Sequence, residues 1–370
     1  MPRIKTLILV QFLSGGGIAQ VFSLLLRNLN PDRFDLHLGV ISQDRPATSP
    51  LPARITVHRL KATRVRYAAL GLLRLIWTVR PQVILSSSSH LTHMLLLIKP
   101  FLPPGTRIAG RLETTASRLK LSPTSHFLYR YLYRTADALI CQSPPMARDL
   151  VEHFGHCPRR LPILLNPIDL SAIRNSPIPT TSPWPTGPGP NLLAIGRLSP
   201  EKGFDRLLHA LAAILPHYPT LQLALLGTGP EEPRLRSLAD RLGLHSNILF
   251  AGQVDRPEIY FAQATAFVLS SAFEGMPNAM LEAAAAGLPL VLTPCSPGIL
   301  DLLSGQPGTW LADSITSQAL SDALQTALAE LHLIQPPVRY PHSFLAPFDL
   351  PVAIPAYEHL LASLARGATL

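Results

Sequence analysis

The sequence predicts an α/β protein of two Rossmann-like domains, each a parallel sheet wrapped by helices. Short apolar runs of strand length alternate along the chain with segments whose apolar residues recur at helical spacing. A glycine-bearing turn follows the first apolar run of each half: Gly15-Gly16-Gly17 after Ile4–Val10, and Gly196 to Gly203 after Asn191–Ile195. That is where a doubly wound sheet turns its first strand into its first helix. Between the halves, residues 176–190 hold six prolines and read as an extended linker. At 370 residues the chain exceeds what one core usually serves. The expected division is a first domain over 1–175, the linker, a second domain over 191–350, and a terminal helix over 351–370.

In the first half, the run IKTLILV is a buried strand rather than a signal peptide, and a helical pattern over 18–29 follows its glycine turn. Gln20 stands where a strict G-x-G-x-x-G would need its third glycine, so no dinucleotide is implied. The bare backbone of Gly15–Gly17 still suits a diphosphate. Strands are expected over 35–41 and 55–60, then a helix over 67–79 closed by Arg80-Pro81. A strand over 83–85 leads into a polar loop, 86–89, with His90 at the carboxyl end of the sheet. A strand over 107–110 runs into Arg111, Leu112 and Glu113, with a helix at 125–135, strand at 138–142, helix at 146–154 and strand at 163–166 beyond. In the second half, strands are expected over 221–226, 248–250 and 267–270, and helices over 204–215, 231–242 and 259–263. The terminal helix would carry Tyr357, Leu360 and Leu361 on one side.

The chemistry concentrates between Ser270 and Leu292. An apolar strand, small turn residues and an Ala-rich helix follow one another there, with Pro277 in the first helical turn and Gly287 at its end. Glu274-Gly275 enters a helix N-terminus whose free N–H groups, near Asn278, favour an anion. Glu274 is placed to accept hydrogen bonds from neutral hydroxyls, and Glu282 to reach a second polyol two turns on. A carboxylate pair set this way reads as sugar recognition. Arg197 and Lys202, five apart across a glycine-bounded loop, suit convergence on one diphosphate. Gly227 and Gly229 read equally as turn residues and as backbone contacts to a nucleotide.

Glu274 and Glu282, with seven residues between them inside EGMPNAMLEAAAAGLPLVL, resemble the E-x7-E signature of the retaining family-4 glycosyltransferases of GT-B fold. GRLSPEKGFDRLLHA, LLGTGPEEPRL and NILFAGQV agree in the expected order, and SGGGIAQVFSLLLRNL and LLNPID extend the resemblance to most of the chain. The resemblance implies two Rossmann-like domains facing each other across a cleft, the second holding a nucleotide sugar linked through UDP, and the first an acceptor. It implies that Arg197 and Lys202 neutralise the departing diphosphate, that Glu274 holds sugar hydroxyls, and that Glu282 holds the ribose. Gly15–Gly17, Gly227, Gly229, Gly275 and Asn278 fall on the donor side. Many members carry a histidine where this chain has Arg111 and Glu113, and acceptor-side roles for these two and His90 are expectations. A catalytically silent binding protein of the same fold and a sugar-nucleotide epimerase are the alternatives.

Composition bounds the partners. Hydrophobic residues make up 47% of the chain and charged ones 15%, which excludes disorder. Residues 1–185 hold 23 Lys+Arg against 8 Asp+Glu, so the net charge of +9 belongs to the first half. Basic residues interleaved with apolar ones around 64–80 read as a peripheral face for an anionic membrane or a lipid-linked glycan acceptor. No recognised nucleic-acid-binding module accompanies the charge. Cys141, Cys157 and Cys295 are scattered and odd in number, which fits a reduced compartment, hence the cytoplasm or the inner face of the cell membrane. His153, His156 and Cys157 lack a fourth ligand at suitable spacing, and the chain contains no D-x-D. Neither a metal nor another cofactor is expected.

Overall fold

A computed structural model describes residues 2–13, 16–42, 51–118, 122–177, 183–184, 189–332 and 338–367. The chain divides into two compact units, one of Met1–Ile168 with Pro347–Leu370 and one of Asp169–Ala346.

The first unit runs β1 (Ile4–Val10), α1 (Gly17–Asn28), β2 (Phe34–Val40), β3 (Thr56–Arg59), α2 (Ala69–Val79), β4 (Val83–Ser86), α3 (Ser89–Ile98), β5 (Arg107–Arg111), α4 (Pro123–Phe127), β6 (Ala138–Ile140) and α5 (Pro144–Phe154). Its strands form one parallel sheet in the order β3-β2-β1-β4-β5-β6. Leu7 and Leu9 of β1 face an apolar layer built by α2, α3 and α5, while Ile8 and Val10 face α1. This alternation is what a strand covered on both faces requires.

The second unit runs α6 (Leu170–Arg174), β7 (Asn191–Ile195), α7 (Phe204–Ile214), β8 (Gln222–Leu226), α8 (Glu232–Arg241), β9 (Ile248–Gly252), α9 (Glu258–Phe261), β10 (Ala266–Leu269), α10 (Asn278–Ala285), β11 (Leu290–Leu292), α11 (Pro297–Leu303), β12 (Thr309–Leu311) and α12 (Ser317–His332). These strands too are all parallel, in the order β12-β11-β10-β7-β8-β9. The strand order reverses beside the first strand of each unit, between β1 and β4 and between β7 and β10. Loops diverge at such a switch point and leave a crevice at the strands' carboxyl ends.

Several elements differ from the sequence reading. His90 lies not in a loop but in the first turn of α3, whose run LTHMLLLI is too uniformly apolar for periodicity to separate helix from strand. Residues 163–166 form no strand beyond a single bridge from Cys141 to Ile163, since the prolines at 162 and 167 flank them. The helix expected over 125–135 is broken into α4, a π-helical turn at Leu128–Leu132 and a 3-10 turn at Tyr133–Thr135. Pro277 is the N-cap of α10 rather than its first helical residue. The second unit begins at Asp169, so that α6 lies with α10 and not with the first domain. Much of the expected linker, 178–182 and 185–188, lies outside the described residues.

The last helix, α13 (Leu350–Ala365), belongs to the first unit. Ile354, Tyr357, Leu360, Leu361 and Leu364 sink into the apolar layer that also holds α1. Glu358 clamps the contact: its carboxylate accepts from Arg33 Nη1 at 2.7 Å and from the Asn30 N–H at 2.8 Å. Leu361→Ala, at a fully buried position, is expected to cost about 2–5 kcal/mol. Urea unfolding of the purified chain will measure it.

Candidate active site

The second unit's switch point gathers most of the residues expected on the donor side. The turn from β7 carries Arg197 and Lys202, and the loop after β10 carries Glu274 and Gly275 ahead of α10. Lys202 Nζ lies 2.5 Å from Glu274 Oε1, across 72 positions of sequence. The same oxygen accepts from Ser271 Oγ at 2.7 Å. Both charged side chains are largely enclosed, Lys202 at 23% and Glu274 at 14% exposure, while Arg197 is exposed beside them.

The loop is held from every side. Ser270 Oγ donates to the Lys202 carbonyl at 2.8 Å, and the Arg206 guanidinium donates to the Ser270 carbonyl at 2.5 Å. After β11, Thr293 Oγ1 donates to the Ser271 carbonyl at 2.6 Å and Ser296 Oγ to the Gly275 carbonyl at 3.2 Å. Buried Cys295 accepts the Glu274 N–H on its carbonyl at 3.2 Å. Burial first, and the Glu274 charge next, push the Cys295 thiol up to about 12, so it is inert at neutral pH. A loop fixed by this many bonds presents its carboxylate in one orientation.

Two glycines make the geometry feasible. Gly227 has φ +129°, and a side chain there would run into the Gly196 carbonyl; one at Gly229 would strike the Leu198 carbonyl. The turn after β8 is thereby laid against the turn after β7, joined by Leu198 N–H to the Thr228 carbonyl at 3.1 Å. Gly227 and Gly229 therefore have a packing role that explains them without a ligand.

Glu282 lies on the second turn of α10 at 7% exposure. Burial, with the charge of Glu258 as a second cause, raises its carboxyl to about 8. No hydrogen bond donor reaches that carboxylate among the described residues. Asn278 opens the helix, and Gly275 is buried behind the loop.

The first unit holds the remaining candidates. Gly16 has φ +82° and caps α1, which Gly17 begins, and nothing lies within 4 Å of where a Gly16 side chain would stand; Gly15 lies outside the described residues. Arg111 ends β5 at 3% exposure, donating from Nη2 to Asn166 Oδ1 at 2.8 Å beside Tyr357 of α13. It ties β5 to the end of the first unit's chain and to its terminal helix, a positioning place rather than an accessible one. Glu113 accepts the Ser89 N–H at 3.4 Å, and burial raises its carboxyl while Arg111 opposes that shift. His90 is exposed nearby. The metal-like cluster dissolves: His156 Nε2 contacts the Tyr129 carbonyl at 2.7 Å, and among the described residues no group of three His, Cys, Asp or Glu could hold an ion.

The sequence reading missed Ser271, Thr293, Ser296 and Glu258. The signal available was position, since the first three follow β10 and β11 at the carboxyl edge.

Comparison with known proteins agrees with this geometry. Residues 15–172 match the family described as Glycosyltransferase Family 4, and residues 189–330 the one described as Glycosyl transferases group 1. The chain belongs to the family-4 glycosyltransferases.

Among relatives of this glycosyltransferase, the N-acetylgalactosamine-N,N'-diacetylbacillosaminyl-diphospho-undecaprenol 4-alpha-N-acetylgalactosaminyltransferase of Campylobacter jejuni is 28% identical over 209 residues, 56% of this chain and 55% of that one. The lipopolysaccharide core biosynthesis glycosyltransferase LpsE of Rhizobium meliloti is 28% identical over 242 residues, 62% of this chain and 66% of that one. The chain spans about half the length, or less, of the curated relatives first matched. In fold, it superposes on Anabaena HepE in complex with UDP and glucose with a TM-score of 0.77, at 18% identity, over 98% of this chain and all of HepE. Sucrose-phosphate synthase of Thermosynechococcus elongatus gives 0.79 at 15% identity, over 99% of this chain and all of that one. The two parallel six-stranded units are thus of GT-B type.

The state of Glu282 has a measurable consequence. Its folded pKa, about 8, stands above the ordinary 4.5, so the folded chain binds the proton more tightly. The stability this confers is complete below the unfolded value and is lost as pH rises from about 4.5 through about 8. Glu282→Gln is expected to melt above wild type at pH 8, by roughly 5 °C or more, with the gap narrowing as pH falls toward 4.5, in ligand-free thermal scans.

Proposed function

We propose that this glycosyltransferase moves a sugar from a UDP-linked donor to a glycan or lipid-linked glycan acceptor, with retention of anomeric configuration, in the synthesis of cell-surface polysaccharide or lipopolysaccharide. The observation that carries the reading is the Lys202–Glu274 pair at the second unit's switch point, with a buried carboxyl at Glu282 on the helix that follows. UDP in the HepE complexes supports the base, and the diphospho-undecaprenol acceptor named for the Campylobacter relative supports the acceptor class.

In this reading the donor diphosphate takes Lys202, with Arg197 and the N–H groups at the start of α10 completing the cradle. Glu274, its Lys202 partner shared with the diphosphate, accepts from sugar hydroxyls, and Glu282 from the ribose. Gly275 and Asn278 lie at the helix entry. Attack comes from the face the leaving group occupies: the acceptor oxygen bonds to the anomeric carbon as the carbon–phosphate oxygen bond breaks. The acceptor's proton passes to the departing phosphate oxygen, and no carboxylate acts as nucleophile. Two cations and a helix end supply the charge stabilisation, so the scheme uses no metal and no cofactor. His90, in the first turn of α3, and Glu113, just after β5, serve the acceptor, with Arg111 holding the end of β5. The enzyme works from the cytoplasmic side, in peripheral contact with the anionic inner face of the cell membrane.

The test screens UDP, GDP and ADP and their sugar conjugates by thermal shift, then measures UDP release with an undecaprenyl-diphosphate-linked sugar. A UDP-selective rise in melting temperature is expected, with turnover falling roughly 100-fold or more in Lys202→Ala. Indifference to every nucleotide would refute the donor site; binding without turnover would make the chain a silent member of its family.

A further inference from the structure

The outer face of α2 shows what a free-standing protein surface avoids. Its inner face buries Leu72, Leu75, Ile76 and Val79 against the first unit's sheet. On the opposite side, Leu70, Arg74 and Trp77 follow one another at intervals of four and three, which places them on a single stripe, and Tyr67 sits in the 3-10 turn Val65–Ala68 that leads into the helix. Tyr67 is 63%, Leu70 77% and Trp77 47% exposed. The Trp77 indole N–H donates to the Phe101 carbonyl at 2.9 Å and so brings Phe101, 66% exposed, to the same surface. Arg80 lies 5.9 Å over the Trp77 ring. Exposed apolar residues scattered singly are ordinary, but a contiguous aromatic and aliphatic stripe marks a contact surface.

Charge names the occupant. Residues 45–112 contain eleven Lys and Arg and no Asp or Glu. The neighbouring acid, Asp137, is already spent: Lys99 Nζ sits 2.8 Å and Arg107 Nη1 3.0 Å from its two oxygens, and the Ile108 N–H donates to it. Arg74 and Arg80 are left exposed along the stripe with no counter-charge among the described residues of α2, α3 or β5. A second copy of the same face would press cations against cations, so self-association is disfavoured. Tyr and Trp with Leu and Phe between arginines match the level of a bilayer where headgroup phosphates meet acyl chains.

We infer that the face made by Tyr67, Leu70, Arg74, Trp77, Arg80 and Phe101 docks the folded first unit onto an anionic phospholipid bilayer. The helix lies on the membrane as part of a preformed surface, and no helix among the described residues is long and apolar enough to cross one. This specifies the membrane contact of the proposed function but does not depend on the transfer reaction, and vesicle binding is read separately from the nucleotide response.

The experiment sediments the full chain with vesicles of phosphatidylglycerol and phosphatidylcholine, or of phosphatidylcholine alone, with UDP-induced thermal shift measured in parallel. Wild type is expected to bind the phosphatidylglycerol vesicles, and to lose most binding on neutral vesicles or in 1 M salt. Leu70→Glu is expected to weaken binding by roughly tenfold or more, and Arg74→Glu by roughly fivefold on anionic vesicles only. Both variants should keep the wild-type melting temperature and UDP response, since both side chains point away from the core. Equal binding of wild type and Leu70→Glu, or no binding by wild type, overturns the inference whatever the nucleotide result. So does a wild-type dimer in sedimentation velocity that Leu70→Glu disperses, which would assign the face to a second copy.

Discussion

The contact between Lys202 and Glu274 is the constraint around which the second unit's site is arranged. Two opposite charges meet in a largely enclosed place because β7 and β10 are neighbours across the point where strand order reverses. Everything near them serves that meeting. Gly227 and Gly229 let one turn lie on another, Ser270 and Arg206 bind the second loop to the first, and Thr293 and Ser296 brace it from β11. In the proposed reaction a donor diphosphate would compete with Glu274 for this lysine.

Two buried ionisable groups lower the stability of their units. Glu282 is a carboxyl buried beside another acid, and burial first, with the Glu258 charge second, displaces it to about 8. Arg111 is the counterpart in the first unit: a buried guanidinium whose Nε and Nη1 have no hydrogen-bond partner among the described residues, next to the similarly unsatisfied Tyr357 hydroxyl. Its single side-chain bond to Asn166 joins the sheet to the segment where the chain leaves the unit, close to the helix that returns to it. Where it sits, it works by holding other groups in place.

Much of this was legible in the residues. Strands covered on both faces read as continuous apolar runs, and Ile4–Val10 and Asn191–Ile195 stand where expected. Lys202 and Glu274 were recognisable from motif spacing, though nothing in the spacing shows that they touch. Uniformly apolar stretches were harder, since burial all round erases periodicity, which is why no helix was read over 91–98 and His90 was placed in the polar loop before it. Burial of Arg111 was invisible for another reason: a charged residue after a strand looks accessible until the terminal helix, more than two hundred residues on, is folded over it. The bracing hydroxyls around Glu274 have ordinary sequence surroundings and acquire meaning only from the sheet's order.

Calorimetric titration of UDP, UMP and uridine into wild type and Lys202→Ala tests directly whether the cations of the second unit bind a diphosphate. UDP should bind wild type at least roughly tenfold more tightly than UMP, a difference of about 1.4 kcal/mol, and the substitution should erase most of that gap while leaving uridine unaffected. A UDP preference that survives in Lys202→Ala, or that wild type never shows, would contradict the assignment of this loop to the diphosphate.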